Sequence, residues 1–403
     1  MRRERVVPKT APHPQRWRVF WFRVACLSAP VGLLLGQGGC GGTPSVTDAS
    51  VLDGGSLDAA ETETALIDRD GGAEDTWVPH DGPLDEDSGV RNDASPPDGP
   101  RSFVTVTFNV GLHPKEGQGL TKEQIDYLDR YYGNGLAWGP AIEEARLFLE
   151  SVQPAIVTFQ EIFPVETCAS IPAEARTGFV CETWTPGSPS VPEMVLGSLY
   201  QVACHSGKPD KCAAVKKSFG SFAGCAANVC YDGLYGSKID GCGSGARVGR
   251  GVILRLDGSE LTLVSVHGTS GESSDAMDCR KKQVEQVIVN LGDGAPAANR
   301  AVSLVEGDFN TDPRNVLALL LDPSARRWAD FVGEGKPFFF VNPAEASYPA
   351  DTPLLTIDNV VSNSLRGECW YPGVTSGRPA VSPEGYFDHT PTVCEILLTE
   401  SQP

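Results

Sequence analysis

The chain has 403 residues and a formal net charge of −19, with 52 Asp and Glu against 33 Lys and Arg. So acidic a balance excludes a strongly basic footprint for nucleic acid over the whole chain. With 40% hydrophobic residues, the length accommodates one large domain with flanking segments, or two or three average domains.

Residues 1–39 read as an export signal. Seven Lys and Arg lie in the first 23 residues, followed by the apolar run VACLSAPVGLLL (Val24 to Leu35) and GQGGC. The run is broken by Pro30 and falls short of the roughly 20 apolar residues of a spanning helix. Cys40 follows two glycines, as the acylated cysteine of a bacterial lipoprotein follows small residues, although Gln37 stands where such signals prefer Leu. Ordinary cleavage near Gly39 without a lipid is the alternative.

Residues 40–100 form the next segment, and Gly41 to Pro100 hold fifteen acidic residues against two Arg. Such a stretch buries too little apolar surface to offset its ordering entropy. It is expected to be a disordered acidic linker that holds the working domain off a membrane.

Residues 101–403 are expected to be a single domain of formal charge 24 − 36 = −12, with ten cysteines. An even count behind an export signal points to disulfides in an oxidising compartment. A zinc site is the competing reading, but no C-x-x-C pair is present.

In chain order, FVTVTF (Phe103 to Phe108) is predicted to be a strand. GPAIEEARLFLESVQP is predicted to be a helix, with Ile142, Ala145, Leu149 and Val152 on one face. Ala155 to Phe159 is a second strand, and Glu166 to Gly245 a stapled set of loops. Gly251 to Leu256 and Glu260 to His267 are strands, and CRKKQVEQVIVNL a helix. Ala301 to Glu306 is a strand, after which Asp312-Pro313 is expected to cap the helix RNVLALLL. Leu354 to Val361 and Thr390 to Leu398 complete the strands. Without a steady βαβ rhythm, this mixture implies α/β layers around largely antiparallel sheets.

Polar residues recur at the strand ends: Asn109, Gln160-Glu161, His267, Asp308 with Asn310, Asp358, and Asp388-His389. One alone is a common strand stop. Six in one domain suggest side chains gathered at matching ends of neighbouring strands.

Their order and wording, N, QE, H, GDFN, ID and DH from Phe103 to about Leu398, resemble the endonuclease/exonuclease/phosphatase superfamily. The resemblance implies a four-layer α/β sandwich of two packed, mostly antiparallel sheets flanked by helices. This chain departs from the usual pattern at Gly268, Asn359 and Phe387. The tyrosine that some members place on the phosphate has only Tyr231 and Tyr235 as candidates. GCGSGARVGRGVIL with VHGTSGESSDAMDCRKKQ further resembles the bacterial sphingomyelinase branch. That likeness implies a Cys242–Cys279 bond and an Arg280/Gln283 pair, although Arg280 also reads as a solvated helix residue. Cys369 and Cys394 are a second candidate pair.

The resemblance implies a metal-dependent phosphoric ester hydrolase using Mg²⁺ (or Mn²⁺/Ca²⁺). Asn109, Glu161, Asp308 and Asp388 would be its metal ligands, and His267, Asp308, Asn310, Asp358 and His389 its catalytic residues. Which histidine is acid and which is base stays open. The first substrate class is a phospholipid head group, cleaved in phospholipase-C or sphingomyelinase fashion by an exported monomer. Such a protein would be anchored to the outer membrane or be periplasmic or extracellular. Membrane contact would come from Trp370/Tyr371 and a lipid on Cys40. The alternatives are a secreted deoxyribonuclease-like endonuclease with Lys208, Lys211, Lys216 and Lys217 as a basic rim, a small-molecule phosphatase, and a non-catalytic binding lipoprotein.

Overall fold

A computed structural model describes residues 102–398 apart from 244, 246, 346 and 351–353. The expected export signal, the acidic linker and the fate of Cys40 lie outside the described residues. Among the described residues, no helix is long and apolar enough to cross a membrane.

The chain enters on β1 (Ser102–Asn109), passes through α1 (Lys122–Tyr132) and α2 (Gly139–Val152), and returns on β2 (Ile156–Gln160). Short 3₁₀ turns lead to α3 (Val191–Leu196), β3 (Tyr200–His205), β4 (Lys208–Lys216), β5 (Gly220–Phe222) and β6 (Val229–Cys230). Next come β7 (Gly249–Arg255), β8 (Glu260–His267), α4 (Ser274–Ile288) and β9 (Ser303–Asp308). Last are α5 (Val316–Leu321), α6 (Pro323–Ala329), β10 (Phe339–Phe340), β11 (Asp358–Ser362), β12 (Arg366–Trp370) and β13 (Thr392–Leu397).

Two sheets result, with strand orders β12-β13-β1-β2-β4-β3-β6 and β10-β11-β9-β8-β7-β5. Pairing is antiparallel except at β1–β2, β3–β6 and β8–β9. Strand alternation sorts the side chains into layers. Val106, Phe108, Val157 and Phe159 point outward onto α1, α2 and α3, while Val264, Val266 and Val305 point outward onto α4 and α6. Phe103, Ile156, Val215, Leu261, Leu304, Val360 and Ile396 pack between the sheets. This is the expected four-layer α/β sandwich.

The inner layer changes polarity along its length. On β1, Phe103 gives way to Thr105, Thr107 and Asn109; on β9, Leu304 gives way to Glu306 and Asp308, all buried. Glu306 accepts from Thr105 Oγ1 at 2.8 and 3.1 Å. Burial pushes its pKa up to about 8, so it is held as a neutral acid at neutral pH.

Several sequence expectations need correction. The stretch 166–245 is not only stapled loops, because it supplies α3 and β3 to β6. Its strands carry little period-2 alternation because β3 is buried at every residue, which removes the in/out signal. The helix α1 was not foreseen. Its signal is the capping box Thr121–Gln124. The helix expected over RNVLALLL is split: Asn315 caps α5, and Asp322 caps α6. Asp312 instead accepts from Arg314 N and Thr356 N. Strand β11 begins at Asp358 rather than Leu354.

All ten cysteines of the domain are paired, as Cys168–Cys181, Cys204–Cys212, Cys225–Cys230, Cys242–Cys279 and Cys369–Cys394. Both expected bridges are present, and no thiol remains for zinc.

Candidate active site at the polar rim of the two sheets

Register brings the site together. Asn109 pairs with Gln160 across the parallel β1–β2 ladder, and His267 pairs with Asp308 across β8–β9. Asp358 faces Asp308 across β11–β9. Thr392 sits opposite Thr107, so the chain entering β13 carries Asp388 and His389 past the end of β1. The residues expected as metal ligands and catalytic groups therefore lie at one rim.

Asn109 is the hub. Its Nδ2 lies 3.1 Å from Asp308 Oδ2, 3.3 Å from Glu161 Oε1 and 3.4 Å from His389 Nε2. Asp358 Oδ2 accepts from Ser347 Oγ at 2.8 Å and lies 2.8 Å from His389 Nδ1. That contact fixes the ring and leaves Nε2 facing the site. Asp308 Oδ2 is 3.9 Å from Nε2 of both His389 and His267. Asn310, at φ 50°, donates its backbone N–H to Asp308 Oδ1 and its side chain to Asp308 Oδ2 at 2.8 Å. A left-handed conformation is tolerated by Asn more readily than by most side chains, which is a local reason for Asn after Asp-Phe.

The departure at Gly268 has a steric cause. A Cβ there would lie 2.2 Å from the carbonyl oxygen of Phe309, so the usual leucine has no room. Gly268 O also accepts from Asn310 Nδ2 at 2.9 Å. Gln283 donates to His267 O and accepts from Thr269 N, both at 2.8 Å. Arg280 is buried, not solvated, and donates to Thr269 O, Gly271 O and Asp322. The pair implied by resemblance thus holds the loop behind His267, and the Cys242–Cys279 bond ties their helix to the neighbouring loop.

The oxygen donors suit a hard divalent cation. A Cβ on Gly111 would lie 2.5 Å from Glu161 Oε2, 3.0 Å from Asp388 Oδ1 and 3.2 Å from Asn109 Oδ1. Three oxygens from three chain segments therefore converge on one small volume. Asp388 Oδ1 is buried with no hydrogen-bond partner. Burial and the Asp388 charge both raise the pKa of Glu161, the signature of facing carboxylates that lack a counter-cation. Oxygen donors of this kind fit Mg²⁺, Mn²⁺ or Ca²⁺. Asp308, Asp358 and His389 form a second group whose ligand atoms lie within 4.8 Å of one another. There the imidazole Nδ1 is already engaged by Asp358, which suits a proton-transfer pair.

Electrostatics separate the two histidines. Burial opposes charging the His389 ring, but the carboxylates of Asp358 and Asp308 outweigh it and raise its pKa to about 10. His267 is driven well below the ordinary value, first by burial and then by the charges of Lys211 and Lys208. Burial, assisted by Asp358, raises Asp308 to about 7.

Other expectations are overturned by placement. Tyr231 and Tyr235 are about half exposed. Tyr231 interacts with Glu166, and Tyr235 lies under the Arg250 guanidinium, 5.5 Å from the ring centroid. The tyrosine at the site is Tyr348, whose ring centroid lies 4.7 Å from that of His389. Burial and the charges of Asp388, Asp308 and Glu161 raise its pKa. No spacing in the sequence marked it.

Tyr371 is buried with its hydroxyl bonded to Asn342 and Pro343. Trp370 is partly buried under Arg378, so the Trp370/Tyr371 turn is not a membrane-inserting tip. Lys211 is buried too. Lys216 and Lys217 bond to Gln153 and to Ser198 and Asn228, at the opposite end of β4. The four lysines therefore do not form one rim.

Stacked sheets with helical outer layers, and carboxylate, carboxamide and imidazole side chains collected at one rim, are the arrangement that the resemblance to the endonuclease/exonuclease/phosphatase superfamily implies. No family model matches the chain, and no curated protein matches it. Among solved structures it is similar to a conserved protein of unknown function from Enterococcus faecalis V583. The identity there is 11%, with 74% of this chain and 100% of that chain covered at a TM-score of 0.46. It is also similar to an endonuclease/exonuclease/phosphatase family protein from Bacteroides thetaiotaomicron, with 12% identity, 74% and 98% covered and a TM-score of 0.41. A third is a mannosyl-6-phosphatase from Bacteroides thetaiotaomicron VPI-5482, with 12% identity, 74% and 100% covered and a TM-score of 0.40.

Proposed function

We propose that this protein is an exported, divalent-metal-dependent phosphodiesterase that cleaves a phosphoester by attack of water. The observation that carries the reading is the continuous Asp358–His389–Asn109–Asp308 constellation beside the three-oxygen cradle at Gly111. Glu161, Asn109 and Asp388 would hold the cation, Mg²⁺ by preference, with Asp308 at its edge. When bound, it polarises a phosphoryl oxygen and offsets charge that grows in the transition state.

The chain's own groups supply the rest. Asp308, fixed by both donors of Asn310, orients the attacking water and takes its proton. The oxygen of that water forms a bond to phosphorus as the bond to the leaving oxygen breaks. His389, held by Asp358, and His267, held through its backbone by Gln283, face the phosphoryl group from two sides. Between them they stabilise its oxygens and return a proton to the leaving oxygen.

A phospholipid is the substrate class we favour. Its support is a run of exposed aliphatic side chains on the helix that follows the Asp308–Asn310 segment: Val316, Leu317, Leu320 and Leu321 of α5 are 66–73% exposed. Leu354 is also exposed, and Leu355 pairs with Tyr348, the residue over His389. Exposed apolar clusters mark interaction surfaces.

The test uses purified full-length protein with Mg²⁺ on lipid vesicles and on plasmid DNA in parallel, with His389→Ala as the blank. Head-group release lost in the variant supports the lipid reading. DNA nicking lost in the variant replaces it with a nuclease. Silence from folded protein on both overturns each.

A further inference from the structure

Beside His389 lies a cavity of about 210 Å³ that the chemistry described above does not use. His389 and Thr390 form part of its wall, and the rest comes from Ala350, Phe387, Pro391 and the 372–385 stretch.

That wall is apolar. Pro372, Ala380, Val381 and Pro383 present aliphatic carbon, and Phe387 presents an aromatic ring. Among the described residues, His389 is the one titratable group in it. The polar groups there are already engaged. Ser382 Oγ accepts from Gly385 N at 3.1 Å and Tyr386 N at 3.4 Å. Thr390 N donates to Ser347 O at 2.9 Å, and His389 Nδ1 lies 2.8 Å from Asp358. A guest such as a sugar or a nucleobase would leave its own donors and acceptors unpaired here, which is costly. An apolar guest would gain by leaving water.

The wall is also held in place. At Gly373, whose φ is 79°, a Cβ would lie only 3.0 Å from Ala380 Cβ, so the two sides of the 373–380 loop are in close contact. Phe387 is one of the positions where this chain departs from the usual pattern. It bridges to Leu112, and its ring centroid lies 4.9 Å from that of Phe108. Ala350 N donates to Asp388 O at 2.9 Å. A wall fixed in advance spares a ligand the cost of ordering it.

We infer that this cavity seats an apolar chain of the alcohol esterified to the reacting phosphate, while the phosphate itself lies at His389. An aliphatic cavity of about 150 Å³ accommodates a benzene ring, so about six to eight carbons would fill this one. The inference rests on the phosphodiesterase reading and deepens it, because the substrate is then lipid-like close to its phosphate.

The experiment measures calorimetric binding of methyl, butyl, hexyl, octyl and decyl phosphate to full-length protein with Mg²⁺, below the concentrations at which they form micelles. Thymidine 5′-monophosphate is the polar comparison. Wild type is set beside Ala350→Leu, which fills the cavity, and Val381→Ala, which enlarges it, with thermal melting to confirm each fold.

Affinity should rise about threefold per methylene up to hexyl or octyl phosphate and then level off. Thymidine 5′-monophosphate should bind no more tightly than methyl phosphate. Ala350→Leu should weaken the octyl ester about 10-fold or more and leave the methyl ester unchanged. Val381→Ala should move the levelling to a longer chain, and it decides alone if Ala350→Leu does not fold. Affinity independent of chain length, an unbroken rise that is the same in every variant, tighter binding of the nucleotide than of octyl phosphate, or no binding at all overturns the inference.

Hydrolysis of bis(p-nitrophenyl) phosphate by the same preparations tests the phosphodiesterase reading separately. Chain-length selection without turnover sinks that reading and upholds the cavity. Turnover without chain-length selection does the reverse.

Discussion

Asp358 lies directly opposite Asp308 in the antiparallel β11–β9 register, yet the two buried carboxylates are put to different uses. Asp358 is spent on His389 Nδ1 and Ser347, whereas Asp308 keeps an oxygen directed at the space between the two histidines. Burial and the charge of Asp358 together raise the Asp308 pKa to about 7, and the His389 ring beside both carboxylates works against that rise.

Asp358→Asn keeps the shape and removes the charge. The His389 pKa should fall, and turnover should drop by about 10²- to 10⁴-fold, the range for a lost acid–base group. The pH–rate profile checks the assignment, because its alkaline limb should move to lower pH in the variant. An unmoved profile would mean that Asp358 only holds the fold.

Glu161→Gln removes a charged oxygen from the cradle at Gly111. Magnesium should raise the melting temperature of wild type, because a ligand that binds only the native state stabilises it. The variant should show little or no such rise and bind the ion at least about 10-fold more weakly by calorimetry. An equal rise in both proteins would place the metal elsewhere.

Glu306 makes stability depend on pH in a predictable direction. Its folded-state pKa is raised, from the ordinary value of 4.5 to about 8. Between those values the unfolded chain has released a proton that the native state still holds, so stability falls as pH rises through the window. The limiting slope is about 1.4 kcal/mol per pH unit. Glu306→Gln should flatten this decline in denaturant titrations between about pH 5 and pH 8. Parallel curves for the two proteins would show that Glu306 is ionised in the fold.

Gly268→Ala introduces a Cβ only 2.2 Å from Phe309 O and 2.7 Å from its carbonyl carbon. The backbone must shift, and with it the Gly268 carbonyl that orients Asn310. Expected are a stability loss of about 1–3 kcal/mol and a fall in kcat of about 10-fold or more with a smaller change in KM. Wild-type turnover would show that the loop absorbs the methyl without disturbing Asn310.

Much of the site was legible in the chain because its residues terminate strands. An apolar, β-branched run followed by Asn, Glu, His or Asp is a local pattern, and strands must end at the edge of a sheet. Local pattern also sufficed for α2, for most of α4 and for the oxidising cysteine framework. What it could not reach was anything set by a neighbour from far along the chain. Strand β3 is buried at every residue, β4 is buried without alternation from Lys211 to Val215, and β5 and β6 are short, so the alternation that marks a strand is lost and packing alone identifies them. Tyr348 reaches His389 by tertiary folding, and nothing in ASYPA distinguishes it from Tyr231 or Tyr235.

The same division runs through the chemistry. By itself the sequence determined which side chains are available, that they sit at strand ends, and that the cysteines are numerous enough to pair. Only the tertiary structure decided how they act, because charge state and contact depend on through-space distance and burial. That is why the His389 pKa is raised and the His267 pKa lowered, why Lys211 is buried with its pKa lowered to about 7 rather than part of a rim, and why Tyr371 lies in the interior.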